Sequence, residues 1–215
     1  MKLYALSGLG VDSRLFKHLD INYELIPIEW IEPFPNESIE SYTKRLSQPI
    51  NTSEEFGILG VSFGGLIATE MSKLLQPKLT VLISSAETKH ELRTIYRLLG
   101  RLNVIKFIPI PWFKIPKFPS LYIFGTKNKA LLYPILEDTD PKFAKWAINT
   151  LLIWKNNTKL KEVLKISGSH DKLLPANKHS NIVLIPNEGH FIIADRAKKV
   201  SQLINTYISS KLPTI

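Results

Sequence analysis

The chain has 215 residues, with 28 Lys and Arg against 19 Asp and Glu, and no cysteine. That length suits one domain with room for an insertion, and a 44% hydrophobic share is ample for a core. The absence of cysteine excludes disulfides, thiolate nucleophiles and cysteine-ligated metals, and it suits a reducing compartment.

The longest uncharged apolar stretch, Phe56 to Ala68, falls short of the ~20 residues that span a bilayer. No stable membrane insertion is expected. The apolar start, Met1 to Leu6, is too short for a secretory signal and is broken by Gly8-Leu9-Gly10. A cytoplasmic location is the default expectation. The net charge of +9 raises nucleic acid as a partner, but no run of four basic residues occurs. Aromatic and basic residues do not interleave as in an RNA-binding surface. A solvated lysine-rich surface, and no nucleic acid partner, is the expectation.

Lys2 to Ser7 reads as a short strand, followed by the loop Ser7-Gly8-Leu9-Gly10. Asp12 or Ser13 can cap a helix over Arg14 to Leu19. Tyr23 to Trp30 is a second strand. Ser38 or Glu37 opens a helix to about Ser47 with Ile39, Tyr42 and Leu46 as its buried row. Phe56 to Val61 is an apolar strand, Leu66 to Leu75 a helix, and Leu79 to Ser84 a β-branched strand. Residues 1–85 thus alternate strand and helix, which implies a parallel sheet covered on both faces.

The pattern changes over 86–160. Glu91 to Leu102 reads as helix. Residues 108–119 hold four prolines and exclude a helix or a central strand. Pro141 to Trp154 is periodic at helical spacing. This stretch is assigned as an inserted, mostly helical cap between two core segments, 1–85 and 161–215. Three of the four tryptophans lie in it, and Trp112 and Trp146 are its candidate substrate contacts. The sheet resumes with Val163 to Ser167 and Asn181 to Ile185, and the chain closes on a helix from about Asp195 to Lys211.

Gly60-Val61-Ser62-Phe63-Gly64 matches G-x-S-x-G between the predicted strand and helix. Glycines two residues either side let the two backbones approach at a sharp turn that presents the serine hydroxyl. The N–H that follows, from Phe63, then faces the carbonyl under attack. Serine needs a base, and the base needs a carboxylate to hold its tautomer. Of five histidines, His190 directly follows the last strand. His18 lies on the first helix, His90 begins the cap, and His170 and His179 sit in polar loops. Asp171 is the one aspartate on the neighbouring strand-end loop, in Gly168-Ser169-His170-Asp171.

Ser62, Asp171 and His190 therefore appear in the order nucleophile, acid, base, each at the end of a predicted parallel strand. With the elbow, the Gly-x-x-Asp loop and Gly189-His190, the chain resembles the α/β-hydrolase superfamily over nearly its whole length. The resemblance implies an α/β fold: a doubly wound, mainly parallel six-stranded sheet, without the usual N-terminal strand pair. It also implies an oxyanion hole from the N–H of Phe63 and a second N–H after the first strand. By position Leu9 gives that second donor, with Gly8 and Gly10 beside it. Ser7 stands where the family often has histidine. The expected activity is hydrolysis of a small ester-like acyl substrate, without metal or organic cofactor. Thioester, peptide or carbon–carbon hydrolysis, a lipase-like action through residues 108–119, and ligand binding without catalysis are the alternatives on the same frame.

Overall fold

The computed structural model describes residues 1–114, 116–176 and 181–212. Ile115 of the proline-rich stretch and His179 lie outside them.

Six strands form one sheet in the order β2-β1-β3-β4-β5-β6, every neighbouring pair parallel. They are β1 (Lys2–Leu6), β2 (Glu24–Ile28), β3 (Phe56–Val61), β4 (Leu79–Ile83), β5 (Val163–Gly168) and β6 (Val183–Ile185). The helices are α1 (Ile39–Leu46), α2 (Phe63–Leu75), α3 (Thr94–Arg101), α4 (Lys117–Phe124), α5 (Lys129–Glu137), α6 (Pro141–Ile153), α7 (Ile192–Asp195) and α8 (Ala197–Lys211). The all-parallel, doubly covered sheet is the architecture expected from the strand–helix alternation.

Strand periodicity sorts the core. In β1, Leu3 and Ala5 face one hydrophobic cluster, while Tyr4 and Leu6 face the other. In β3, Leu59 and Val61 take the first side, Phe56 and Ile58 the second. Both faces must therefore be covered, as parallel sheets require. α8 and α5 cover the first face through Val200, Ile204, Leu132 and Ile135. α1 and α2 cover the second through Tyr42, Leu46, Leu66 and Met71.

Chain order in the sheet reverses between β1 and β3. β1 is followed by its outer neighbour β2, and the chain then crosses to β3 on the other side. Such a switch point opens a crevice at the carboxyl ends of the two strands, where α/β sheets bind ligands.

Several boundaries differ from the sequence reading. The first helical segment is a 3-10 helix, Ser13–His18, capped by the Asp12 side chain, which accepts from Arg14 N at 3.0 Å. Ser38 caps α1. Pro27 sits in β2, an edge strand, where a missing N–H is tolerated. The proline-rich stretch does include helix: a 3-10 turn at Ile110–Phe113, then α4 from Lys117. Pro116 stands at the cap and Pro119 in the first turn, where no intrahelical N–H is lost. The final helix is two, α7 and α8, broken at Arg196.

Between β4 and β5 the chain makes its long excursion, and a buried ionic clamp ties off the neck. Lys165 on β5 reaches Glu91 at 2.8 Å and Glu87 at 3.3 Å. Glu87 also accepts from Leu160 N at 2.6 Å, and its carbonyl accepts from Asn156 Nδ2 at 2.8 Å. Lys165 and Glu87 are buried, so removing the cation strands a charge. Lys165→Met should lower the unfolding free energy by about 3 kcal/mol. Urea denaturation with an unchanged slope checks this.

Candidate active site

The elbow is built as its residues require. Ser62 joins β3 to α2 at φ 53° and ψ −121°. Its N–H donates to the Ile83 carbonyl at 2.9 Å, and its carbonyl accepts from Gly65 N at 2.9 Å and Ser85 Oγ at 2.7 Å. With the backbone so held, the side chain does not cap α2. A Cβ on Gly60 would stand 2.5 Å from the Gly64 carbonyl oxygen. One on Gly64 would stand 2.1 Å from that of Ser7. Any side chain at either position would push strand, helix or the β1 loop apart.

His190 Nε2 lies 2.8 Å from Ser62 Oγ, and His190 Nδ1 lies 2.7 Å from Asp171 Oδ2. Asp171 and His190 are buried. The other carboxylate oxygen, Asp171 Oδ1, accepts from the N–H groups of Leu173 and Leu174, each at 2.9 Å. Both acceptor atoms of Asp171 are thereby engaged, and the group is fixed in direction. The loops carrying Asp171 and His190 are joined directly, since His170 N donates to the Glu188 carbonyl at 2.8 Å. His170, His18 and His90 are all exposed. The structure thus brings together the three residues singled out from sequence, and those other histidines stand apart from them.

The β1 loop stands beside Ser62. A Cβ on Gly8 would meet Ser62 Cβ at 3.4 Å. The Ser7 hydroxyl donates to the Val11 carbonyl, and Val11 N donates to the Gly8 carbonyl at 3.1 Å. Ser7 therefore closes this loop. Phe63 is the first residue of α2, so its N–H has no acceptor within the helix and stands at the positive end of the helix dipole.

A cavity of about 320 Å³ opens at Ser62. Its walls are apolar: Leu9 and Phe63 from the core loops, Tyr96 from α3, Phe124 from α4, Ile148 from α6 and Leu174 from the Asp171 loop. Burial pushes the Tyr96 phenol above its ordinary pKa, and its hydroxyl donates to the Leu173 carbonyl at 3.0 Å. Trp112 and Trp146 are not among the residues lining this cavity. Trp112 points to solvent. Trp146 packs behind Phe63, and its ring N–H donates to the Glu37 carbonyl at 2.9 Å.

Phe124 was not legible as a site residue. Its carbonyl accepts from His190 N at 2.8 Å, and its ring meets the imidazole edge-on at 5.8 Å between centroids. The available signal was Gly125, which ends α4 at φ 64° and packs on Gly189 so closely that a Cβ on Gly189 would lie 2.6 Å from its Cα. Among the described residues, no group of three or more His, Asp or Glu is placed to hold a metal ion. No helix among them is long and apolar enough to cross a membrane.

This parallel sheet, with its strand–serine–helix elbow and inserted helices, is an α/β-hydrolase fold. Similar solved structures cover nearly the whole chain. MenH from S. aureus superposes with a TM-score of 0.70 at 18% identity, over 98% of this chain and 94% of that one. A thermophilic esterase from Thermogutta terrifontis gives 0.67 at 15%, over 98% and 90%. The hydrolase olei00960 from Oleispira antarctica gives 0.69 at 15%, over 96% and 90%. No family model and no curated protein matches the sequence.

The approach of Gly64 to Ser7 gives a direct test of the elbow. Gly64→Ala should cost about 1–3 kcal/mol of stability through overpacking against fixed backbone. Thermal unfolding measures the loss, and Gly8→Ala, with its neighbours at 3.4 Å or more, should cost less.

Proposed function

We propose that this chain is a serine hydrolase that transfers the acyl group of a small ester-like substrate to water. One observation carries the reading. Ser62 Oγ, His190 and Asp171 form an unbroken hydrogen-bonded line, with links of 2.8 Å and 2.7 Å, at the mouth of an apolar cavity. The names of the structural neighbours, which include an esterase and a hydrolase, support the same class.

His190 Nε2 takes the Ser62 proton as Oγ attacks the carbonyl carbon. Asp171, held by two N–H groups and the imidazole, steadies the imidazolium that forms. The N–H of Phe63 and that of Leu9 are assigned to the developing oxyanion. His190 then protonates the leaving alkoxide, giving the acyl-enzyme and the alcohol. Water repeats the sequence on the Ser62 ester and releases the acid. The excursion over residues 86–160 acts as a cap that walls the acyl side of the site through Tyr96, Phe124 and Ile148.

Ser62→Ala should abolish hydrolysis of a short p-nitrophenyl ester and labelling by a fluorophosphonate probe. Asp171→Asn should lower kcat by about four orders of magnitude with the fold intact, because the imidazole tautomer is no longer held. Undiminished labelling of Ser62→Ala would remove the nucleophile assignment. The cavity lies near the small end of ligand pockets, which suits a short to medium acyl chain. Ile148→Trp, which fills it, should move preference toward acetyl esters, with kcat/KM for longer chains falling about 10–200-fold.

A further inference from the structure

We propose that the exposed rings and cations of α3, the proline-rich stretch and α4 dock onto an anionic lipid surface. Residues 92–136 contain eight Lys and Arg and no Asp or Glu, so this stretch holds eight of the chain's nine net positive charges. Of thirteen exposed large hydrophobic residues among the described residues, eight lie between Ile95 and Tyr122. Charge and exposed apolar surface therefore coincide in one part of the chain.

The local packing explains why these rings face outward. Ile105 and Phe113 turn inward and form a small cluster with Ala144 and Leu152 of α6. Their near neighbours Phe107 and Trp112 are left 84% and 79% exposed. Along α4, Ile123 and Phe124 line the cavity while Phe118 and Tyr122 face solvent. On α3, Gly100 seats the helix on α6, with a Cβ there only 2.1 Å from the Leu152 carbonyl oxygen. Leu98 and Leu102 are left on its exposed side.

The chemistry of the patch selects the partner. Lys106 adjoins Phe107, and Lys114 follows Trp112 at two residues. Protein interfaces are depleted in lysine, with charge excluded from their centres. Aromatic rings set among lysines suit the bilayer boundary, with rings at the headgroup level and ammonium groups on phosphates. Arg101, Lys106 and Lys114 are exposed and enter none of the ion pairs among the described residues. Their charge is open to an external anion. α4 carries both the outward rings and two cavity-lining residues, so docking sets the cavity wall next to lipid.

The test uses the full chain with phosphatidylglycerol–phosphatidylcholine vesicles and with phosphatidylcholine alone. Cosedimentation should be at least about tenfold stronger on the anionic vesicles at low salt, and high salt should reverse it. Trp112 is the exposed tryptophan, so emission should shift to the blue on binding, and Trp112→Phe should remove most of that shift. Trp112→Ala with Phe118→Ala, and separately Arg101→Glu with Lys106→Glu and Lys114→Glu, should each weaken partition by about tenfold or more. These side chains are exposed, so circular dichroism should remain native. Ser62→Ala should bind as the parent does, which keeps docking separable from the hydrolase reading. Equal recovery with anionic, neutral and no vesicles overturns the proposal, as does binding to RNA or an acidic protein without binding to vesicles.

Discussion

Ser62 holds a backbone that a residue with a Cβ avoids, at φ 53°, and the site depends on keeping it there. Such a conformation costs about 1–3 kcal/mol and persists only when its surroundings over-determine it. Three hydrogen bonds do so, one donated to the Ile83 carbonyl and two accepted from Gly65 N and Ser85 Oγ. Two of these partners belong to β4 and the turn after it, so the elbow is braced by the adjacent strand as well as by its own helix. Gly60, Gly64 and Gly65 allow the approach. A Cβ on Gly65 would fall 2.1 Å from Ser85 Oγ, the donor that braces the Ser62 carbonyl. The strain thus ends in one useful product, a hydroxyl directed away from the helix and into the crevice between β1 and β3.

The rest of the site is assembled by loops that hold one another. Asp171 is oriented by Leu173 and Leu174, and the loops of Asp171 and His190 are linked through His170 N and Glu188. His190 is supported from a third direction by the Phe124 carbonyl at the end of α4. In a buried setting these contacts are stronger than they would be in water. They also mean that the hydrogen-bonded line of Ser62, His190 and Asp171 is not a property of the core sheet alone. The excursion between β4 and β5 supplies one of its supports.

The periodic parts of the chain were legible, and with them the meeting of Ser62, Asp171 and His190. Phe56–Val61 carries its strand in an unbroken apolar run with Ser62 immediately after it, while Asp171 stands three residues beyond the end of β5 and His190 five beyond the end of β6. Strand ends can be read from composition, and in a parallel sheet all carboxyl ends meet at one edge. What could not be read was direction within the excursion. Trp112 and Trp146 share the composition of cavity residues, but side-chain direction there is set by turns. At Ile110–Phe113 one ring is buried and its neighbour is exposed. A tally of prolines also underestimated helix at Lys117, because it ignored that the first turn has no N–H to lose.

The excursion is best understood through two sets of residues with opposite demands. One set is absorbed by the main cores. Leu132, Ile135 and Leu136 of α5 join the cluster that holds Val200 and Ile204, and Phe143 and Ala147 of α6 join the other. These residues fix the excursion to the sheet, and the Lys165 clamp closes its neck. The second set faces outward and is apolar without being buried. Burying Phe107 or Trp112 against this chain would place the lysines beside them, Lys106 and Lys114, in a medium that penalises unpaired charge. A surface with apolar depth and anionic edges satisfies both ring and cation. Fold and patch then have one physical logic: α5 and α6, held firmly from within, carry an α3, proline-rich stretch and α4 that present to the outside what the interior could not accept.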